Sequence, residues 1–245
     1  MIISRATSDC IKPSINVLSA NDRMRINNVL HCFDRYAVFT NIGKSSTVEK
    51  QFPLSLVDYF NNKRPIIINL IGYFKHLPEL ARLHLDDQVL LIKQNLRFLL
   101  PIHYALLNES TILFDENTKI IDRCLPANYR SLSMLFSQYV DIDSRMMKIF
   151  LIVLFFDANT RTMSIDSVKY FNSLTIKEIQ SSYVELLWLY LLEKRGEIQA
   201  VHLLNRLINS YLHSQTSVDE IDSIIRCSDE ISQLDSLMKI VFQLS

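Results

Sequence analysis

The adjacent carboxylates of Asp86 and Asp87 are the first residues in this sequence that could carry catalytic chemistry. Two neighbouring aspartates could hold a divalent metal ion against a diphosphate, because hard cations prefer oxygen ligands. That chemistry requires further carboxylates one helical turn away, and Gln88, Val89 and Leu90 supply none. The pattern instead favours a capping role, in which the Asp86 carboxylate accepts the orphan N–H groups near Val89 at a helix start.

Histidines, cysteines and glycines give no support to a catalytic or metal site. The six histidines show no i,i+4 pairing or neighbouring glutamate of the kind that zinc enzymes use. The four cysteines lie far apart, without metal-ligand spacing, and indicate reduced intracellular thiols: Cys10, Cys32, Cys124 and Cys227. Three glycines could hardly build a phosphate-binding loop, and no Gly-x-Ser-x-Gly motif occurs. We therefore expect a protein that is not an enzyme and that needs no metal or cofactor.

The composition is that of a folded domain without a dominant charge. The 245 residues are 49% hydrophobic and 21% charged, with 26 basic and 26 acidic side chains. This balance provides no positive field for a phosphate backbone, so direct nucleic-acid binding is not expected. The most apolar run, Ile149 to Phe156, is far shorter than the roughly 20 residues that cross a bilayer. We also expect no signal peptide, because Arg5 follows closely after Met1.

Scarce glycine and proline predict long helices in a single domain. Residues 1–21 are expected to be loosely ordered, and residues 22–245 to form the domain. The first helix is predicted to end near Asn41 to Gly43. Pro65 and Pro101 fall inside helical patterns, where we expect bends rather than ends. The run from Thr111 to Ile121 predicts one small β-hairpin.

The second half of the chain also has helical spacing. A helix beyond Pro126 leads into the segment from Arg145 to Phe156, which is apolar on every face and is therefore predicted to be buried. The stripe from Ile176 to Leu191 is predicted to stop at Gly196. Further helical patterns begin at Ile198 and, near the C-terminus, at Leu234.

The turn around Pro78 brings two helix ends together. Pro78 should stop the helix that carries Phe74, and a new helix should start at Asp86. Lys75 and Lys93 are the cations at this junction. A shallow apolar groove with a cation at its rim is the outline of a site for a short amphipathic helix. On spacing alone, ordinary core leucines and solvated lysines remain the alternative.

The segment from Phe74 to Lys93 resembles the signature of nuclear receptor ligand-binding domains. It has an aromatic-small-Lys helix end, a proline turn, spaced leucines and an Asp-Gln-x-x-Leu-Leu-Lys-like helix start, in that order. A weaker resemblance covers Val153 to Ala158, although Phe156 and Ala158 depart from the family pattern. The resemblance extends roughly from Asp22 to the C-terminus. It implies an all-α fold, a three-layer antiparallel sandwich of about 10–12 helices with one small β-hairpin.

The resemblance also implies four sets of site residues. The coregulator groove would comprise Ile71, Lys75, Leu80, Leu85, Gln88, Val89, Ile92 and Lys93. The pocket for a lipophilic ligand would comprise Tyr59, Phe60, Lys63, Ile66, Arg97, Leu100, Tyr104, Leu107 and Phe114. The activation helix would carry Leu237, Met238, Ile240, Val241 and Phe242. A dimer surface would comprise Val201, Leu204, Leu207, Ile208 and Tyr211 on the 198–212 helix. The alternatives are that aromatic side chains fill the pocket and that the dimer stripe faces the core.

Two positions depart from the family in ways that affect function. Leu107 occupies the position where many members have a ligand-holding arginine, so Arg97 or Lys63 would have to hold a ligand's polar end. Ile240 occupies the position of the glutamate that caps the coactivator helix opposite Lys75. The missing charge-assisted contact is worth about 1.5–3 kcal/mol.

From the resemblance we expect a coregulator-binding and ligand-binding domain of a nuclear, transcription-regulating receptor. Its partners would be coactivator or corepressor helices, a lipophilic small molecule, and a second receptor chain in a homo- or heterodimer. The chain contains no zinc-bearing DNA-binding module, which implies a fragment or a receptor without that part. The rival is a helical protein-interaction module with a filled pocket, constitutive or repressive in its effect. A helical isoprenoid enzyme is the third alternative.

Overall fold

The computed structural model describes residues 18–38, 55–107, 129–158 and 170–244. Within these ranges the chain is mostly helical and has no strand, which confirms the all-α class. The predicted hairpin and Phe114 lie outside the described residues, as does most of the N-terminal segment that was expected to be loosely ordered.

Helix α1 spans Ala20–Cys32 and continues as a π-helical turn, Phe33–Ala37. A capping box starts it, because the Ser19 side chain and the Asp22 carboxylate each accept an N–H from the other residue's backbone. The helical conformation ends at Ala37, earlier than the predicted end near Asn41. Leu18, four residues before the predicted domain start at Asp22, is buried, and its N–H donates to the Glu193 carboxylate at 3.1 Å.

The two prolines inside helical patterns behave differently. Helix α2 covers Leu56–Asn61 and α3 covers Arg64–Lys75, so the helical conformation is interrupted just before Pro65. The expected bend at Pro65 is therefore wrong, and Pro65 lies in the first turn of α3, where its missing N–H costs no intrahelical bond. Pro101 lies inside α4, Leu85–Leu107, without ending it.

The turn at Pro78 is fixed by leucines. Helix α3 ends at Lys75, as the proline predicts. A 3-10 turn at Leu80–Arg82 connects it to α4. Three leucines in this connection are buried and anchor the turn in the core: Leu77, Leu80 and Leu83.

The rest of the described chain forms four helices: α5 at Tyr129–Phe155, α6 at Ser173–Arg195, α7 at Glu197–Arg226 and α8 at Ser236–Val241. Between α7 and α8 lies a 3-10 turn at Ile231–Gln233.

Two residues set the helix boundaries in this part of the chain. Helix α5 contains a break at Asp143, whose carboxylate caps the second half by accepting the N–H groups of Arg145 and Met146 at 3.0 and 3.1 Å. Gly196, with φ of 73°, separates α6 from α7 as predicted.

The core is centred on α4 and α5, which pack along each other, with α6 and α7 packed on α5. Every residue from Ile149 to Phe156 is buried, in agreement with its apolar character on all faces. Phe74 stacks on Phe155 at 3.8 Å between ring centroids. None of the described helices is both long and apolar enough to cross a membrane.

Candidate functional site

Helices α3 and α4 each expose apolar side chains. On α3, Ile68 is 43% exposed and Ile71 is half-buried; on α4, Leu85 is exposed, Val89 is 42% exposed and Ile92 is half-buried. Residues three or four apart share one face of a helix, so each helix contributes one stripe. These stripes lie on either side of the Pro78 turn.

Two of the predicted groove residues instead stabilise the turn between α3 and α4. Leu80 is completely buried and packs in the core, so it contributes nothing to the surface. The Gln88 side chain is half-buried and donates from Nε2 to the Leu83 carbonyl at 2.9 Å. Because this amide is already used, its role is to hold the turn between α3 and α4.

Lys75 of α3 and Lys93 of α4 are both exposed. Neither forms an ion pair with a described residue. Lys93 lies beside the C-terminal helix, because its carbonyl accepts a hydrogen bond from Gln243 Nε2 at 3.2 Å. Lys75 is the last residue of α3. No acid among the described residues therefore neutralises either lysine.

The start of α8 is held against α2 and α3. The Asp235 carboxylate caps α8 by accepting the Leu237 N–H at 2.8 Å, and it lies 3.4 Å from the Arg64 guanidinium. Asn61 binds the same segment twice, accepting the Asp235 N–H at 2.8 Å and donating to the Gln233 carbonyl at 3.2 Å. This arrangement ties the beginning of α8 to the α2–α3 junction.

The end of α8 is held against α4 and α7. Arg226 at the end of α7 donates to the carbonyls of Phe242 and Gln243, each at 3.0 Å. A cation at these carbonyls satisfies groups that a helix end leaves without partners. Phe242 is buried and contacts Phe60 edge-to-face at 4.9 Å. Both ends of α8 are therefore fixed by polar contacts, while Met238, Val241 and Phe242 face inward.

Ile240 is the outward-facing apolar residue of α8, at 38% exposure, and Leu237 is half-buried. The helix itself has no acidic residue in Ser236–Val241, and Asp235 before it is engaged as the cap. The outward side of α8 therefore carries the apolar Ile240 and no carboxylate.

A cavity of about 40 Å³ lies behind α8. Five of the predicted pocket residues line it: Phe60, Lys63, Arg97, Leu100 and Tyr104. The rest of the wall is Pro101, Leu132, Val218, Ile221, Met238 and Phe242. Tyr59 and Ile66 are buried nearby in the chain but do not line the cavity, nor does the half-buried Leu107. Pockets for drug-sized ligands are roughly 300–1,000 Å³, so this space is small.

The two cations on the cavity wall differ in their surroundings. Arg97 forms a buried ion pair with Asp222 and lies 3.8 Å from Asp219, which joins α4 to α7. Lys63 forms no ion pair with a carboxylate in the part of the chain that the structure describes. Burial lowers the pKa of the Lys63 ammonium to about 8.

Of the predicted dimer residues, Val201 and Ile208 are exposed and Leu204 is half-buried, whereas Leu207 and Tyr211 face the core. Two further exposed residues, Ile198 and Leu212, extend the outer stripe of α7. The stripe is therefore divided between core and surface, as expected for a helix that packs on one side.

An open polar cleft, of about 470 Å³, lies between α1, the 3-10 turn at Leu80–Arg82 and α6. Arg25 crosses it, donating to the Ser182 hydroxyl at 2.7 Å with its guanidinium 5.1 Å from the Tyr183 ring centroid. Burial is the main cause that raises the pKa of the Tyr183 hydroxyl, followed by the nearby Glu79 carboxylate. From the sequence, Tyr183 was predicted only to lie on the apolar side of the helix from Ile176 to Leu191.

The sequence also gave no indication that two polar side chains of α4 bind the backbone of distant segments. Asp87 is buried, and its carboxylate accepts the N–H groups of Phe171 and Asn172, both at 2.9 Å, just before α6. Asn95 donates to the carbonyls of Phe155 and Asp157, both at 2.9 Å, at the end of α5. The predicted cap, Asp86, instead lies inside the first turn of α4.

Among the described residues, no three of the histidine, cysteine, aspartate and glutamate side chains gather as a metal ion would require. Searches of protein-family models and of curated proteins return no match to this chain.

Proposed function

We propose that this chain is a divergent nuclear receptor ligand-binding domain whose main activity is to bind the helical motifs of transcriptional coregulators in the nucleus. Its helices would form the three-layer antiparallel sandwich of that family. One arrangement chiefly supports the proposal: α8 is held beside exposed apolar side chains of α3 and α4, and Lys75 and Lys93 on these helices form no ion pair with a described residue.

The apolar residues of that face suit an amphipathic helix. Ile68, Val89 and Ile240 are each about two-fifths exposed, on three different helices. Docking of a Leu-x-x-Leu-Leu helix would remove these side chains from water at about 25 cal/mol per Å². Lys75 at the end of α3 could then bind the carbonyls that the visiting helix leaves unsatisfied at its C-terminus.

The fixed position of α8 favours activity without a large ligand. Its two ends are held by Asn61, Arg64 and Arg226, all from the protein itself. The cavity behind it, at about 40 Å³, does not need a lipid to fill it. These contacts therefore favour constitutive docking of α8, without a large ligand in the cavity.

The test is direct titration of a fluorescent Leu-x-x-Leu-Leu peptide, followed by fluorescence anisotropy, against a peptide with alanine at the three leucines. We expect saturable binding of the leucine peptide only. Val89→Asp should weaken it at least tenfold, because a carboxylate would be placed in the apolar face.

Val184→Asp is the matched control, since Val184 is 45% exposed on α6, away from α3, α4 and α8. It should leave the affinity unchanged. Circular dichroism would verify that both variants remain folded. Equal binding of both peptides, or equal loss in both variants, would exclude the α3–α4 face as the docking site.

A further inference from the structure

The polar cleft between α1, the 3-10 turn at Leu80–Arg82 and α6 is large enough to hold a ligand. Its volume of about 470 Å³ far exceeds the space of about 40 Å³ behind α8. It lies within the roughly 300–1,000 Å³ that sites for small ligands have. No residue of α8 lines it, so the cleft is separate from the cavity described above.

Four charged side chains line the cleft, two of each sign. Arg25 and Arg82 are the cations, and Glu79 and Glu178 are the acids. None of the ion pairs among the described residues joins two of these four groups. Opposite charges therefore face the same space without pairing across it.

The two arginines keep hydrogen-bond donors for a ligand. Arg25 donates to the neutral Ser182 hydroxyl at 2.7 Å, and its guanidinium lies 5.1 Å from the Tyr183 ring centroid. These two contacts fix the position of the guanidinium and use few of its five donors. Arg82 is exposed on the turn and forms no ion pair with a described residue. A carboxylate in the cleft could therefore accept hydrogen bonds from both guanidinium groups.

The two acids require the ligand to carry a positive charge as well. An ion with negative charge alone would be attracted by the arginines and repelled by Glu79 and Glu178. Glu79 lies beside the Tyr183 hydroxyl, and one of its carboxylate oxygens is buried. Glu178 is exposed on α6, where an incoming ammonium group could reach it.

The uncharged part of the lining is partly apolar. Ile179 and Tyr183 are nearly buried, and they form the part of the cleft wall that α6 contributes next to Glu178 and Ser182. An apolar side chain of a ligand would lose water-exposed area against them. The lining therefore matches a molecule with one carboxylate, one ammonium and an aliphatic group.

We propose that this cleft binds a small zwitterion of the amino-acid class, with its carboxylate on Arg25 and Arg82 and its ammonium on Glu178. Its aliphatic side chain would contact Ile179. A free amino acid and a dipeptide share this chemistry and differ in the separation of their two charges. The ligand would connect α1, the turn after α3 and α6, and so stabilise the fold on binding.

The experiment is isothermal titration calorimetry and thermal unfolding of the whole chain with L-leucine and with L-leucyl-L-leucine. Leucinamide and leucyl-leucinamide lack the carboxylate, whereas 4-methylpentanoate and N-acetyl-leucyl-leucine lack the ammonium. We expect at least one zwitterion to bind and raise the Tm, with both of its single-charge analogues at least tenfold weaker. Binding of only one zwitterion would support the proposal and identify the charge separation that the cleft accepts.

Arg82→Gln and Glu178→Gln should each weaken binding of the zwitterion at least tenfold, because each substitution removes one of the charges that the ligand requires. Both positions are exposed, so both variants should fold as the wild type does. Arg145→Gln on α5 and Glu185→Gln on α6 are the matched controls. They change the same charges at exposed positions outside the cleft and should leave the affinity unaltered.

Three results would overturn the proposal: no binding of either zwitterion, equal binding of a zwitterion and its single-charge analogues, or unaltered binding by Arg82→Gln or Glu178→Gln. The cleft is lined by none of the exposed apolar residues Ile68, Val89 and Ile240. The peptide titration above can therefore succeed or fail separately.

Discussion

His103 is completely buried in α4, with the backbone of Ala37 beside its ring. Its ring contacts Phe33 edge-to-face at 5.9 Å between centroids. Burial lowers the pKa of His103 from 6.5 to about 4. The unfolded chain therefore binds a proton at this position below pH 6.5, whereas the folded chain does not until the pH approaches 4.

The consequence is an acid-labile fold. The free energy of unfolding should decrease as the pH falls from 6.5 to 4, by about 3 kcal/mol in total from this residue. Urea unfolding at several pH values would measure it. His103→Leu should remove most of the slope, and His202→Leu on the exposed face of α7 should keep it. An identical slope in both variants would place the acid sensitivity elsewhere.

The adjacent residues Asp86 and Asp87 have unequal roles. Asp86 is exposed, with only His84 close by at 3.4 Å, whereas Asp87 is buried and holds the start of α6 through two backbone N–H groups. Asp86 was predicted to be the helix cap because its position in the sequence suits a local cap. Local spacing gives no information about Phe171 and Asn172, which are more than eighty residues away, so the choice between the two carboxylates required the tertiary structure.

Asp87→Asn should destabilise the fold by about 1–3 kcal/mol. The asparagine side chain would place an N–H donor next to one of the two backbone N–H groups that the carboxylate now accepts. Asp86→Asn is the matched control, and its effect should be within about 0.5 kcal/mol. Chemical denaturation measures both. A larger loss from Asp86→Asn than from Asp87→Asn would contradict these assignments.

At the scale of elements, the helical spacing of apolar residues predicted where a helix lies, whereas the position of a proline did not predict where a helix ends. The spacing of apolar residues predicts α6 and its end at Gly196, because those residues face the core at every turn. Pro65 and Pro101 are chemically identical, yet one follows a break and the other lies within α4. Whether a proline ends a helix depends on packing that the pattern of one chain does not contain.

Under the proposed function, an acid introduced on α8 should strengthen coregulator binding. Ile240→Glu would place a carboxylate on the outward face of α8, where it could cap the N-terminus of a docked coregulator helix. Because position 240 is 38% exposed, solvent screens the contact, and we expect peptide binding to be tightened by up to about tenfold.

The control for that prediction is Ile240→Gln, which has the same length without the charge. Fluorescence anisotropy at low and high salt would separate the two, because only the glutamate effect should be weakened by salt. A gain of the same size in both variants, or a loss in both, would show that Ile240 contributes apolar area rather than occupying the place of an acid.

At the scale of the whole molecule, the sequence predicted the helical class, the buried segment from Ile149 to Phe156 and the two helix ends around Pro78. It also named five residues that share one cavity, including Lys63 and Arg97. The sequence did not predict the difference between those two cations, because Arg97 is paired with Asp222 and lies near Asp219, both on α7. Charge partners on a distant helix are set by packing and not by spacing.

The outer stripe of α7 leads to the prediction about assembly. Ile198, Val201, Ile208 and Leu212 are exposed on one side of a 30-residue helix, and side chains of this kind in one patch commonly mark an interface. Two copies related by two-fold symmetry would bury the same stripe on both chains.

We expect a dimer in sedimentation velocity at micromolar concentration. Ile208→Asp should shift the dimer to monomer, because the substitution would bury an unpaired carboxylate in the interface. Val184→Asp, an equally exposed position on α6, should remain dimeric. A wild-type chain that is monomeric at all concentrations would assign the stripe to a different partner or to none.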